Sequence, residues 1–224
     1  MVITILILIT FIIIFFIYAS ANINSGIYLK AICKLKTNEK TVALTFDDGP
    51  DSKITPQVLN VLAQYNIKAL FFCIGNKIKG NEELIKRIVE EGHILGNHSY
   101  NHKPTFPLFS ASKMKTDIEQ CNMEIIRITR EKTNLFRPPF GVTNPTIAKI
   151  VRELKYKTIG WNIRSFDTIR KQPHKVAARV NRKLKPGSII LLHDNTENIT
   201  QILEEIINFA QKTGYKFIRA DQYI

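Results

Sequence analysis

From Thr41 onward the chain repeats one alternation: a short apolar run, then a longer segment with apolar residues at helical spacing. The runs "NEKTVALTFDD", "IKALFFCI" (67–74), "HILGNH", "NLFRPP", "YKTIGWN", "GSIILLHD" and "YKFIRA" read as strands. Between them, 55–66 carries Val58, Leu59 and Leu62 on one helical face, and 81–92 opens with Asn81 and stops at Gly92. Further helices are expected at about 112–130, at 144–154 behind an Asn144-Pro145 start, and near 173–184 and 196–212. Seven or eight βα units over some 200 residues predict parallel strands with helices outside, a distorted (β/α) barrel of about seven strands. An open doubly wound sheet is the alternative, because periodicity does not encode closure.

The first 21 residues break the pattern. "MVITILILITFIIIFFIYASA" contains no charge and predicts a membrane-targeting segment. "ASA" at 19–21 suits signal-peptidase cleavage, but no basic residue precedes the apolar run, so an uncleaved anchor remains open. The organisation expected is thus a signal peptide or anchor at 1–21, a connector at 22–39 and one exported domain at 40–224, secreted or membrane-anchored at the cell envelope.

Charge changes the picture little. The net +13 belongs wholly to the part after residue 21, and it favours anionic surroundings such as wall polymers or headgroups. The charges are scattered, and no dense basic stretch alternates with aromatics, so nucleic acid is not an expected partner. Cys33, Cys73 and Cys121 are odd in number and widely spaced, and read as thiols without a disulfide framework.

Polar residues collect at the predicted strand ends. Asp47 and Asp48 end the first strand, His98 the third, Arg137 the fourth, Asp167 follows the fifth, and His193 with Asp194 ends the sixth. In parallel α/β folds these ends share one face, where sites are built. His98 and His102 are four apart, which on a helical turn would set both imidazoles on one side. With an aspartate oxygen they make a two-His-one-carboxylate set with room for water, as in catalytic zinc sites. Asp48 or Asp47 can be the ligand, leaving its neighbour as proton acceptor. Arg137, in "FRPPFG", can pair with that base. His193 suits a general acid, although a lone strand-end histidine is commonly structural.

"TFDDGP", "HSYNH", "RPPFG", "WNIRSFD" and "LLHD", in this order and spacing, resemble the five motifs of the polysaccharide deacetylase family, the NodB-homology domain of carbohydrate esterase family 4. The resemblance spans roughly residues 40–220 and implies metal-dependent removal of N-acetyl groups from N-acetylhexosamine polymers such as peptidoglycan or chitin, or of O-acetyl groups in some members. It implies Asp47 as base, Asp48, His98 and His102 as ligands of one divalent ion, zinc first with cobalt or another transition metal as alternatives, and Arg137 holding the base. It also implies His193 as acid tuned by Asp167, the Phe140 N–H as oxyanion donor, and Leu191 beside the acetyl methyl pocket. Phe140 stands where the family usually has Tyr. Many members read W-x-V-D-x-x-D-W where this chain has Trp161, Arg164, Asp167 and Thr168, which bears on substrate identity more than on chemistry.

An acetylated polysaccharide is the expected partner, and the membrane too if residues 1–21 stay attached; the domain is expected to be monomeric. The rivals are an O-acetyl esterase on xylan-type glycans and a noncatalytic glycan-binding domain, which has no need for ligands and proton carriers together. A two-metal phosphoesterase would want more ligands. Serine or cysteine nucleophile chemistry lacks its motifs.

Overall fold

In the computed structural model, which describes residues 1–223, the sheet is built from parallel strands only. They are β1 (Thr41–Asp47), β2 (Leu70–Cys73), β3 (Ile94–Asn97), β4 (Leu135–Phe136), β5 (Lys157–Thr158), β6 (Ile163–Arg164), β7 (Ser188–His193) and β8 (Lys216–Phe217). Seven run in the order β5-β4-β3-β2-β1-β7-β6. The eighth, β8, takes the edge of β1 at Thr41 and Val42, and β2 takes the same edge from Thr45 to Asp47. All seven residues of β1 are buried, with neither face exposed, as a strand covered on both faces requires. The sheet curls into the expected distorted barrel.

The helices are α1 (Val2–Ala21), α2 (Thr55–Gln64), α3 (Gly75–Ile78), α4 (Glu82–Glu90), α5 (Ala111–Thr129), α6 (Pro145–Glu153), α7 (Pro173–Asn181) and α8 (Ile199–Lys212). Their starts follow local chemistry. In α6 the Asn144 Oδ1 accepts from the Ile147 N–H at 2.8 Å, with Pro145 as first residue. In α8 the stripe Ile202, Leu203, Ile206, Ile207 and Ala210 is buried against Leu44, Phe46 and Leu192 on the outer face of the sheet. Each large aliphatic residue buried there contributes about 1.5–3 kcal/mol relative to exposure. On the inner face, Ala43, Leu70, Phe72, Leu135, Ile159 and Ile189 fill the barrel.

Two expectations are corrected in detail. "YKTIGWN" is not one strand: β5 ends at Thr158 and β6 begins at Ile163, and the two pair with different neighbours, β4 and β7. Gly160 and Trp161 occupy the break, and Gly160 lies against the Cys33 sulfur, where a Cβ would come within 2.4 Å. The segment 22–39 is also more than a tether. Ile32 N–H donates to Thr158 O, Gly160 N–H to Ile32 O and Leu35 N–H to Gly187 O, so this stretch spans from β5 to the start of β7 and lines the gap in the wall. The three cysteines are free, Cys73 and Cys121 buried and Cys33 half-buried.

Candidate active site

β1 delivers Asp47 with its side chain inward, and the chain leaves the strand through Asp48 at φ +71°. Asp is among the few residues that tolerate this left-handed backbone. Gly49 then passes so close to Asp194 that a Cβ would lie 2.1 Å from its Oδ2, so only glycine fits. Asp194 is buried, donates its N–H to Asp47 O at 3.3 Å and accepts from Thr55 Oγ1 at 2.6 Å. Burial in particular, with Asp48 and Asp47 adding to it, lifts its carboxyl to about 7 despite the Thr55 hydrogen bond. Sequence reading placed Asp194 at a strand end without giving it work. Its role in shaping the turn follows from contacts 145 positions away, which no local pattern records.

The imidazoles meet Asp48, but not by the route expected. Residues 98–103 form no helix; the chain turns through Ser99 at φ +64° and His102 at φ +48°, and His102 N–H donates to Ser99 Oγ at 3.1 Å. This tight loop after β3 brings the rings to a 4.7 Å centroid separation. Asp48 Oδ1 lies 3.5 Å from His98 Nε2 and 3.4 Å from His102 Nε2, and the three donor atoms fall within 4.8 Å of one another. His98 Nδ1 lies 2.8 Å from the Arg137 carbonyl, which only accepts; that assigns the proton to Nδ1 and leaves the Nε2 lone pair facing Asp48.

The donor set fits a divalent cation on its own chemistry. Asp48 Oδ1 and His102 Nε2 are buried and have no hydrogen-bond partner among the described residues, an arrangement that is costly unless something binds there. Burial works against the Asp48 carboxylate, but its place against the His98 and His102 rings holds it well below the usual carboxylate range. Burial above all pushes His102 down to about 4, so it is a neutral ligand at pH 7.

Beside this cluster stand two buried pairs. Arg137 is fully buried; its NH1 donates to Asp47 Oδ1 at 2.6 Å and to Thr45 Oγ1 at 2.8 Å, NH2 to Gly160 O at 2.9 Å and Nε to Ile159 O at 2.9 Å. The guanidinium lies 4.2 Å from the centroid of the Phe72 ring. Asp47 is 4 % exposed, and its free Oδ2 lies 3.7 Å from His98 Nε2. Across the sheet, Asp47 is in register with His193 and Thr45 with Leu191, so both β7 side chains lie on the inner face with Asp47. His193 Nδ1 lies 2.8 Å from Asp167 Oδ1, and its N–H donates to Asp167 Oδ2 at 2.7 Å. Burial lowers the His193 pKa, but the hydrogen bond and charge of Asp167 outweigh it and raise it to about 9. Phe140, at φ +60° and 47 % exposed, sets its ring 4.6 Å from that of His102. Arg164 is exposed and lies over the Phe166 ring, one residue before Asp167.

All nine residues singled out from the sequence therefore occupy the C-terminal strand ends or the loops that follow them. Lys77, which sequence reading missed, donates from Nζ to Asp48 O at 2.8 Å and braces the same turn. It sits in α3, whose four residues are too few to show a period.

Comparisons with known proteins identify the family. The family model for polysaccharide deacetylase matches residues 34–159, more than half the chain. The chain is 36% identical over 189 residues to the peptidoglycan-N-acetylmuramic acid deacetylase PdaA of Bacillus subtilis, covering 83% of this chain and 72% of the relative. It is 34% identical over 200 residues to a peptidoglycan-N-acetylglucosamine deacetylase of Bacillus cereus, covering 85% and 91% respectively. Among solved structures, BA3943 of Bacillus anthracis, described as a CE4 family pseudoenzyme, superimposes with a TM-score of 0.80 at 30% identity, over 86% of this chain and 68% of that one. The chain belongs to the polysaccharide deacetylase family, carbohydrate esterase family 4.

Proposed function

We propose that this protein hydrolyses N-acetyl groups from N-acetylhexosamine residues of a cell-wall polysaccharide, with peptidoglycan as the first candidate. One observation carries the reading: an Asp-His-His cluster with unpartnered donor atoms shares the strand-end face with a buried carboxylate–arginine pair and a buried carboxylate–histidine pair. A glycan-binding domain needs none of the three, and catalysis needs all of them. The relatives named for muramic acid and for glucosamine deacetylation support the same polymer. α1 fits export to the envelope.

Asp48, His98 and His102 would hold the divalent ion, zinc by preference for an N₂O donor set, and such an ion supplies Lewis acidity and a more acidic water. Asp47 accepts the proton of the attacking water at Oδ2, because Oδ1 is taken by Arg137 and the guanidinium holds the carboxylate in place. The Phe140 N–H, on the turn that follows Pro138 and Pro139, would donate to the amide oxygen as it gains charge. The acetyl methyl packs beside Leu191. His193 donates its Nε2 proton to the departing nitrogen, which leaves poorly as an anion; the products are the free amine and acetate. Asp167 holds the ring by Nδ1 and by the backbone N–H, so Nε2 faces the substrate.

Acetate release from peptidoglycan, chitin oligosaccharides and acetylxylan tests the reading. Release is expected from peptidoglycan, from both of its sugars or one, to fall to background with a chelator and to return on adding Zn²⁺ or Co²⁺. Release that ignores the chelator, or none from any glycan, overturns it.

The pH dependence carries a further prediction. A donor raised to about 9 is protonated at and below neutral pH and loses its proton as pH rises through that value, so kcat has its alkaline fall there. Asp167→Asn removes the main cause of the elevation. The fall should move to lower pH in that variant, read from kcat profiles, and an unmoved profile would remove Asp167 from the account.

A further inference from the structure

The end of α1 is built into the site-bearing face. Ser20 O accepts from Thr143 N–H at 2.9 Å, and Ala19 O accepts from Thr143 Oγ1 at 3.1 Å and from Ser25 Oγ at 3.2 Å. Thr143 is 1 % exposed and stands two residues beyond Gly141, on the loop that carries Arg137 and Phe140. Ala19 and Ile23 are buried, and Asn24 Nδ2 donates to Trp161 O at 3.0 Å. A chain cut after Ala21 would take both acceptors away from the Thr143 N–H and hydroxyl, on the loop that carries Arg137.

The rest of α1 is apolar on every side and exposed, as suits lipid and not a protein groove. The exposed stretch from Val2 to Tyr18 spans about 25 Å, close to the roughly 30 Å of a bilayer's hydrocarbon core. The surroundings of its exit point suit an interface as well. Ile27 is exposed, and Leu108 is 84 % exposed on a turn whose Pro107 O accepts from Asn144 Nδ2, next to Thr143. On the neighbouring loop after β6, exposed Ile169 is followed by exposed Arg170 and Lys171, an apolar tip with cations for anionic headgroups.

We propose that α1 is retained as the membrane anchor, that its last turn is a working part of the catalytic face, and that this face is held against the bilayer, so that the glycan acted on lies at the membrane surface. The last clause rests on the deacetylase reading; the placement is tested without reference to activity. Chymotryptic mapping of the full chain from bacterial membranes should yield the peptide Ala19–Tyr28, which crosses the candidate cleavage bond. A peptide beginning at Asn22, or the protein in the soluble fraction, overturns retention.

For orientation, the full chain is reconstituted in phosphatidylglycerol–phosphatidylcholine vesicles. It carries an environment-sensitive fluorophore at Leu108→Cys or, at the other end of the barrel, Lys132→Cys, and wild type is labelled in parallel to correct for Cys33. Headgroup-level nitroxide lipids should quench the label at 108 several-fold more than at 132. Equal quenching, or stronger quenching at 132, overturns the orientation, and this outcome is distinguishable from failure of the acetate assay.

Discussion

Asp47→Asn is expected to lower kcat for deacetylation by about 10²–10⁴-fold, the range that a positioned general base contributes. The substitution keeps the shape of the side chain and removes its capacity to take a proton. The three cluster donors belong to other residues, so cation binding should persist, and zinc content measured on the purified variant separates loss of the base from loss of the metal. Stability should drop as well, because the Arg137 guanidinium stays buried after losing its anionic partner. Circular dichroism at the assay temperature guards against reading unfolding as loss of catalysis. A variant that binds zinc, is folded and retains activity within tenfold of wild type would exclude Asp47 as the base.

Arg137→Met carries the largest expected cost in stability, about 3–5 kcal/mol, the range for removing one partner of a buried ion pair. Four donated hydrogen bonds disappear together: the Ile159 and Gly160 carbonyls, Thr45 Oγ1 and Asp47 Oδ1 all lose their donor inside the barrel. Burial alone opposes the Arg137 charge, and Asp47 is what compensates it, so neither group is at ease without the other. Arg137→Lys should recover only part of the loss, since a single ammonium at the end of a flexible stem does not reproduce a planar fork that reaches four acceptors. Urea midpoints with unchanged slopes measure both variants. A Met variant within 1 kcal/mol of wild type would show that the pair does not hold the break between β5 and β6 together.

That break marks the limit of what local pattern conveys. The βα alternation, the helix starts at Asn81 and Asn144-Pro145, and the gathering of polar residues at strand ends were legible because each is written within a few residues. The i, i+4 pairing of His98 and His102 was legible too, but for the wrong reason. A helical turn and a loop with two left-handed residues both bring such a pair together, and only the loop leaves β3 in the direction of Asp48. The open doubly wound alternative was not decidable from period, since closure depends on Ile32 and Leu35 meeting partners more than 120 positions away.

The sequence by itself determined which side chains stand at the strand ends: two adjacent aspartates, two histidines, an arginine followed by prolines and a second carboxylate–histidine set, behind a leading segment too apolar for water. Tertiary structure alone decided which partner each one meets. Asp47 and Asp48 are neighbours of one residue type, and they part because one is clamped by an arginine 90 positions on and the other faces two imidazoles from a different loop. His193 is raised because Asp167 reaches it across 26 positions, and α1 is tied to the catalytic face because Thr143 closes on it across more than 120. Periodicity and motif spacing are short-range properties of a chain, whereas charge, desolvation and hydrogen bonding act through space, so their outcome exists only once the barrel has formed.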